Sequence, residues 1–271
     1  MNNFLFIFLL TLCFIVSMKV IAFAHEKMSK KDRSTVTYVH FRNLFPSQLR
    51  FSTQNVKQKV RNILKKKNAV WDESTSQWSY KYYDGLSALS EKDSIPVVKA
   101  PFGYALIDGH HNVLSNIAVS SEWIPVKVID DYSHLSIDAF WAKTELMGWA
   151  YLKTINGKKS VPPILFSELQ DDPNRYFAAI AARKYKNEAD RDSSGAEYPV
   201  WVKVGKDIPF IEFMISDAMW KRGLVYSYDM GDNPPIEFVE SARQVLLESD
   251  LKGLRVIPSR IHYKDLKLPI N

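Results

Sequence analysis

The chain is nearly without cysteine. Its one thiol, Cys13, lies inside an apolar N-terminal segment. A chain processed after that segment would carry none, which excludes disulfide bridges, thiolate nucleophiles and zinc–thiolate sites. Leu12 stands where a lipoprotein signal wants a small residue, so lipid attachment at Cys13 is not indicated. Also missing are a Walker loop, a G-x-S-x-G elbow and an H-E-x-x-H helix. The first absence argues against an ordinary P-loop NTPase. No internal repeat or low-complexity tract occurs. No apolar run reaches the roughly twenty residues of a membrane span, the longest being about fifteen.

What is present is a composition able to fold. Apolar residues make up 46% and charged residues 24% of 271 positions, so a packed core is affordable and disorder is excluded. The formal charge of +6 permits contact with phosphates or anionic surfaces without requiring it. The basic runs at Lys65-Lys66-Lys67 and at Lys27, Lys30, Lys31 and Arg33 read first as solvated faces. No aromatic alternates with them, so they do not form a single-strand binding groove.

The apolar stretch from Phe4 is followed by Ala22-Phe23-Ala24 and then by polar His25-Glu26-Lys27. That A-x-A spacing predicts a signal peptide over residues 1–24, cleavage after Ala24, and a secreted or periplasmic product. Retention as a membrane anchor through residues 4–24 is the alternative, since the n-region carries only the α-amino charge. Residues 25–37 read as a polar, basic linker.

Strands are expected at 36–39, 95–99, 104–107 and 123–129. Ala100-Pro101-Phe102-Gly103 supplies hairpin chemistry between the second and third. Pro125 places the last strand at an edge or a bulge. Helices are expected at 56–67, 136–148, 174–186, 208–223 and 237–250, with a further one carrying Val113, Leu114, Ile117 and Ala118. Residues 71–93 read as loop, and 187–199 as an exposed loop. A few short strands followed by several helices predict an α+β fold, a small mixed sheet with a C-terminal helical part.

The segment with chemical content is Tyr104-Ala105-Leu106-Ile107-Asp108-Gly109-His110-His111-Asn112. A strand ends, an Asp-Gly turn follows and a helix starts. Asp108 is placed to cap that helix, Gly109 allows close backbone approach, and the open amide end favours an anion. The same dipole keeps His110 and His111 neutral, able to donate to phosphate or to act as a base. Adjacent helical residues point about 100° apart, which disfavours both rings gripping one metal. A capped helix with one surface and one core histidine remains the plain alternative.

Other polar groups have equally plain readings. Asp172 at N-cap with Pro173 at N1 explains Asp171-Asp172-Pro173, against a role in holding a cation. Arg175 and Arg183 could share a face toward phosphate, against surface salt bridging. Thr53 and Gln54 cap a basic helix, against orienting a phosphate or water. Phe140, Trp141 and Trp149 read as core.

The Asp-x-His-His turn after a strand resembles the fingerprint of the ParB-like nuclease family. Ser52-Thr53-Gln54 resembles that family's Pro-Thr-Gln segment, with Ser52 in place of proline. Ile95-Pro96-Val97-Val98, Phe140-Trp141, Gly148-Trp149-Ala150-Tyr151, Leu169-Gln170-Asp171-Asp172-Pro173-Asn174-Arg175 and Phe210-Ile211-Glu212-Phe213 follow in the family's order. Departures are Asn112 after the histidines and a poorly matching stretch over 187–205.

The resemblance implies a ParB/sulfiredoxin-type domain over 38–224, followed by an extension over 225–271. It also implies phosphate contact by Gly109, His110 and His111. On this reading His110, His111 and Asp108 are the catalytic residues of a phosphodiester hydrolase, and Gly109, Thr53, Gln54 and Arg175 bind ligand. Nucleic acid or a nucleotide is the expected partner. Mg2+ is compatible but no signature demands it, and no metal ligands are assigned. The alternatives are a nucleotide-binding phosphotransferase, which export from an ATP-rich compartment disfavours, and a non-catalytic binder of a phosphate-bearing ligand.

Overall fold

The computed structural model describes residues 36–67, 70–72, 77–79, 89–182, 200–203, 209–252 and 254–257. The signal-peptide expectation, the linker up to residue 35, the loop at 187–199 and Arg183 lie outside them, while residues 36 and 37 of the expected linker belong to the first strand. From Thr37 on the chain is one compact unit.

The strands are β1 (Val36–His40), β2 (Leu44–Phe45), β3 (Arg50–Phe51), β4 (Val70–Asp72), β5 (Gln77–Ser79), β6 (Ile95–Ala100), β7 (Gly103–Leu106), β8 (Trp123–Asp131), β9 (Gln170–Asp171), β10 (Trp201–Lys203) and β11 (Leu254–Val256). The helices are α1 (Thr53–Lys67), α2 (His110–Ala118), α3 (Ile137–Leu146), α4 (Pro173–Ile180), α5 (Ile211–Lys221) and α6 (Ile236–Ser249). This is the expected α+β class.

A five-stranded mixed sheet runs in the order β1-β8-β6-β7-β2. The β6–β7 hairpin closes as its Pro and Gly predict, with Ala100 opposite Gly103 and Val97 opposite Leu106. Gly103 adopts φ +143°, and a Cβ there would meet the Phe45 ring at 2.6 Å, so glycine is required. The other neighbour of β6 is β8, which runs parallel to it. Pro125 therefore stands in an interior strand rather than at an edge. Its missing N–H is tolerated because the ladder with β6 begins one residue later, where Ile95 pairs with Val126; the bulge lies further along β8, at Ile129, opposite the Val97–Val98 step of β6.

Core packing follows from the alternation of these strands. Val39, Leu44, Ile95, Val97, Leu106, Ile124 and Val126 meet Val113 of α2 beneath one sheet face. Val98, Ala100 and Ala105, on the alternate register, pack with Tyr132 and Phe140, joined by Trp141 and Trp149. A third cluster is helical: Phe177, Ala178, Ile211, Ile215 and Met219 meet Tyr226, Phe238, Val239, Ala242 and Leu246. Residues beyond Leu224 thus share a core with α4 and α5.

Three elements differ from expectation. α1 starts at Thr53 rather than 56, because the Ser52 hydroxyl accepts the Asn55 N–H and caps the earlier turn. α4 stops at Ile180 because the Val200 and Trp201 amides donate to the Ala181 carbonyl, which a longer helix would need. The described part of 71–93 contains an antiparallel hairpin, β4 with β5, where loop was expected.

One short parallel pairing matters for the site. β3 pairs with β9, Arg50 opposite Gln170 and Phe51 opposite Asp171. That bridge brings the start of α1 beside the start of α4.

Candidate functional site

The turn after β7 forms as the sequence suggests, with one local difference. Gly109, at φ +82°, is itself the N-cap of α2, and no side chain caps that end. Among the described residues Asp108 Oδ1 accepts the N–H of Gly109, at 2.6 Å, and its carboxylate is exposed. A Cβ on Gly109 would meet Ile95 Cδ1 at 2.9 Å. The left-handed conformation and the closeness of β6 together demand glycine. The Asn112 and Val113 amides turn back to the Gly109 carbonyl. Those of His110 and His111 meet no acceptor among the described residues, as a helix start dictates.

Both histidine rings turn inward. His110 is 2% exposed and its Nε2 accepts the Ser47 amide at 3.0 Å. His111 is 8% exposed and its Nε2 accepts the Ser52 amide at 3.0 Å. Each ring thus carries its proton on Nδ1 and is neutral. Burial, with the Arg175 charge second, pushes His110 down to about 3 and His111 well below its ordinary range. The expected neutrality has a different main cause from the helix dipole. It also has a different use, since each Nε2 lone pair holds down the backbone of the segment entering α1.

Around Asp108 the chain gathers cations. Lys59, half-buried on α1, has its pKa lowered by burial, an effect opposed by Asp108 and reinforced by Arg175. Arg175, at the third position of α4, lies across the Phe213 ring at 5.3 Å. Its pKa is lowered by burial and raised by Glu212, Asp172, Asp108 and Tyr228. Its Nε is buried with no hydrogen-bond partner among the described residues.

The starts of α1 and α4 are closed by side chains. Asp171 Oδ1 accepts the Thr53 amide at 2.8 Å and the Tyr228 hydroxyl at 2.7 Å. Gln54 contributes its amide to the same tyrosine oxygen. Asp172 caps α4 through the Arg175 amide at 3.1 Å, with Pro173 at the first helical position, as the sequence predicts. It is fully buried and also accepts from Arg50 at 2.9 Å, from the Ser216 hydroxyl at 2.8 Å and from Trp220 Nε1 at 3.2 Å. A carboxylate so occupied has no oxygen to spare for a cation.

The structure therefore brings together Asp108, Gly109, Arg175, Thr53 and Gln54, and sets His110 and His111 beneath them. Lys59 and Tyr228 complete the cluster and were not singled out from the sequence. Lys59 left a signal: it interrupts the apolar stripe of Val56, Val60 and Ile63 on α1. Tyr228 left none, since it reaches the site from a 3-10 turn (Tyr228–Met230) far along the chain. No three His, Cys, Asp or Glu residues among those described are grouped to hold a metal ion.

A family model described as Putative ParB-like nuclease matches residues 37–217. Among solved structures, protein Atu1540 from Agrobacterium tumefaciens superposes with a TM-score of 0.52 at 20% identity. The match covers 78% of this chain and 91% of that one, and shows a shared fold. No curated protein matches.

Proposed function

The chain belongs to the ParB-like nuclease family, and from that premise we propose that it hydrolyses phosphodiesters of nucleic acid at the Asp108–His111 turn. The observation that carries this reading is the contrast among three neighbouring helix starts. Those of α1 and α4 are closed by Asp171 and Asp172, whereas that of α2 begins at a glycine and carries no side-chain cap. An anion is the natural complement of such an end, and Lys59 and Arg175 flank it.

Each residue then has a task. The His110 and His111 amides and the two cations take the non-bridging phosphate oxygens and stabilise the charge that builds on them. Asp108, the exposed carboxylate at the turn, accepts the proton of the attacking water. Thr53 and Gln54 stand at the neighbouring start of α1. The imidazoles act by position, pinning the Ser47 and Ser52 amides and so the start of α1. This replaces the base role that the sequence suggested for them.

The test is cleavage of single-stranded DNA, RNA and a generic phosphodiester by the chain from His25, with and without Mg2+. Asp108→Asn is expected to abolish turnover. Lys59→Ala and Arg175→Ala should each lower it about 100-fold, the scale of a lost oxyanion donor, Lys59→Ala with the melting temperature nearly kept. Turnover unaffected by Asp108→Asn sinks the proposal.

A non-catalytic phosphate-binding role is the second reading. It is favoured by the engagement of both Nε2 atoms, which leaves the turn with a single free base. Salt-sensitive binding without cleavage would decide for it.

Export is proposed on the sequence alone, from the apolar stretch beginning at Phe4 and the Ala22-Phe23-Ala24 site. Among the described residues no helix is long and apolar enough to cross a membrane. N-terminal sequencing of the cell-produced protein should begin at His25. A start at Met1 in the membrane fraction would favour the anchor instead.

A further inference from the structure

A cavity of about 580 Å³ opens between α5, the end of α6 and the segment after Trp149. It falls within the roughly 300–1,000 Å³ usual for small-molecule sites. Its apolar surface comes from Met214, Ala218 and Leu251, and its rim carries Lys153, Lys221 and Arg222. The two acids at the cavity are already engaged. Asp217 binds Arg50 at 2.6 Å and the Tyr151 hydroxyl, and Glu248 binds Arg222 at 2.7 Å. Lys153 and Lys221 are exposed and make no ion pair among the described residues, so the cavity carries two uncompensated ammonium groups over an apolar floor.

We propose that this cavity is a second ligand site, for a phosphate monoester bearing an apolar body, of the size of a nucleoside monophosphate. The phosphate sits between Lys153 and Lys221, which supply charge-assisted hydrogen bonds in place of hydration. The organic part covers Met214 and Leu251. Asp217, which shares the Arg50 cation with Asp172, and Glu248, paired with Arg222, form the walls. None of these groups belongs to the cluster around Asp108, so the site stands whether or not that turn is catalytic.

Titration calorimetry with adenosine 5′-monophosphate tests this, using the full chain carrying Lys59→Ala to weaken the turn. One saturable event is expected. Adding Lys153→Ala and Lys221→Ala should weaken it by about tenfold or more, since each substitution removes a charge-assisted hydrogen bond. Circular dichroism should show the fold kept. Adenosine, lacking the phosphate, should bind more weakly than the monophosphate. No saturable heat, or an isotherm unchanged by the two lysine substitutions, overturns the proposal. Failure of the turn would appear separately, as cleavage indifferent to Asp108→Asn.

Discussion

At the scale of single residues, the two adjacent histidines set the acid limit of the protein. Unfolded histidine takes up a proton near pH 6.5, whereas folded His110 stays neutral down to about 3. Below pH 6.5 the unfolded chain therefore binds more protons than the folded one, and stability falls with acidity over that window. Above pH 6.5 this contribution is complete. The urea midpoint should drop between pH 7 and pH 4. His110→Gln, whose amide oxygen can still accept from Ser47 but which does not titrate, should flatten that slope. An unchanged slope would remove His110 from the account. By the same reasoning, neither imidazole should produce a break in activity between pH 6 and 8.

The turn itself was legible in the sequence, because Asp-Gly after an apolar strand has few other uses. The direction of the rings was not. It depends on amides at Ser47 and Ser52, some sixty positions upstream, and no local pattern records that partnership. Asp108 as a cap failed for a related reason: a left-handed glycine redirects the peptide, and among the described residues the carboxylate reaches the next N–H.

At the scale of elements, the hub is Arg50 on β3. It is wholly buried, bonded to Asp172 at the start of α4 and to Asp217 of α5, and set against the rings of Phe213 at 5.1 Å and Tyr151 at 5.5 Å. Buried ion pairs are weak evidence for stability when intact but costly to break singly. Arg50→Met should destabilise by about 3–5 kcal/mol, because Asp172 would keep its charge without its cation. Arg50→Met with Asp172→Asn should recover part of that loss. Chemical denaturation of both variants measures it, and equal losses would show that the ion pair is not the cause.

Element boundaries were read best where the chain carries its own punctuation. Pro101 and Gly103 marked the β6–β7 hairpin, and Asp172-Pro173 marked the start of α4. They were read worst where a distant strand intervenes. Val200, nineteen positions past Ala181, ends α4, and helical periodicity alone carries on past that point.

At the scale of the whole molecule, α6 belongs to the core rather than to a tail. Phe238, Val239, Ala242 and Leu246 are nearly inaccessible and pack on Phe177 and Ile215. A chain ending at Leu224 would expose that apolar face of α4 and α5 to water. It should be recovered as aggregate, or as a species without a cooperative melt. A soluble, cooperatively folding truncation would make the extension a separate unit after all.

The ion pair between Arg50 of β3 and Asp172, the residue after β9, joins positions 122 apart. Closing so large a loop costs chain entropy before any contact repays it, which predicts that this pairing forms late on the folding route. Until it does, a guanidinium waits in a half-assembled interior with nothing to neutralise it.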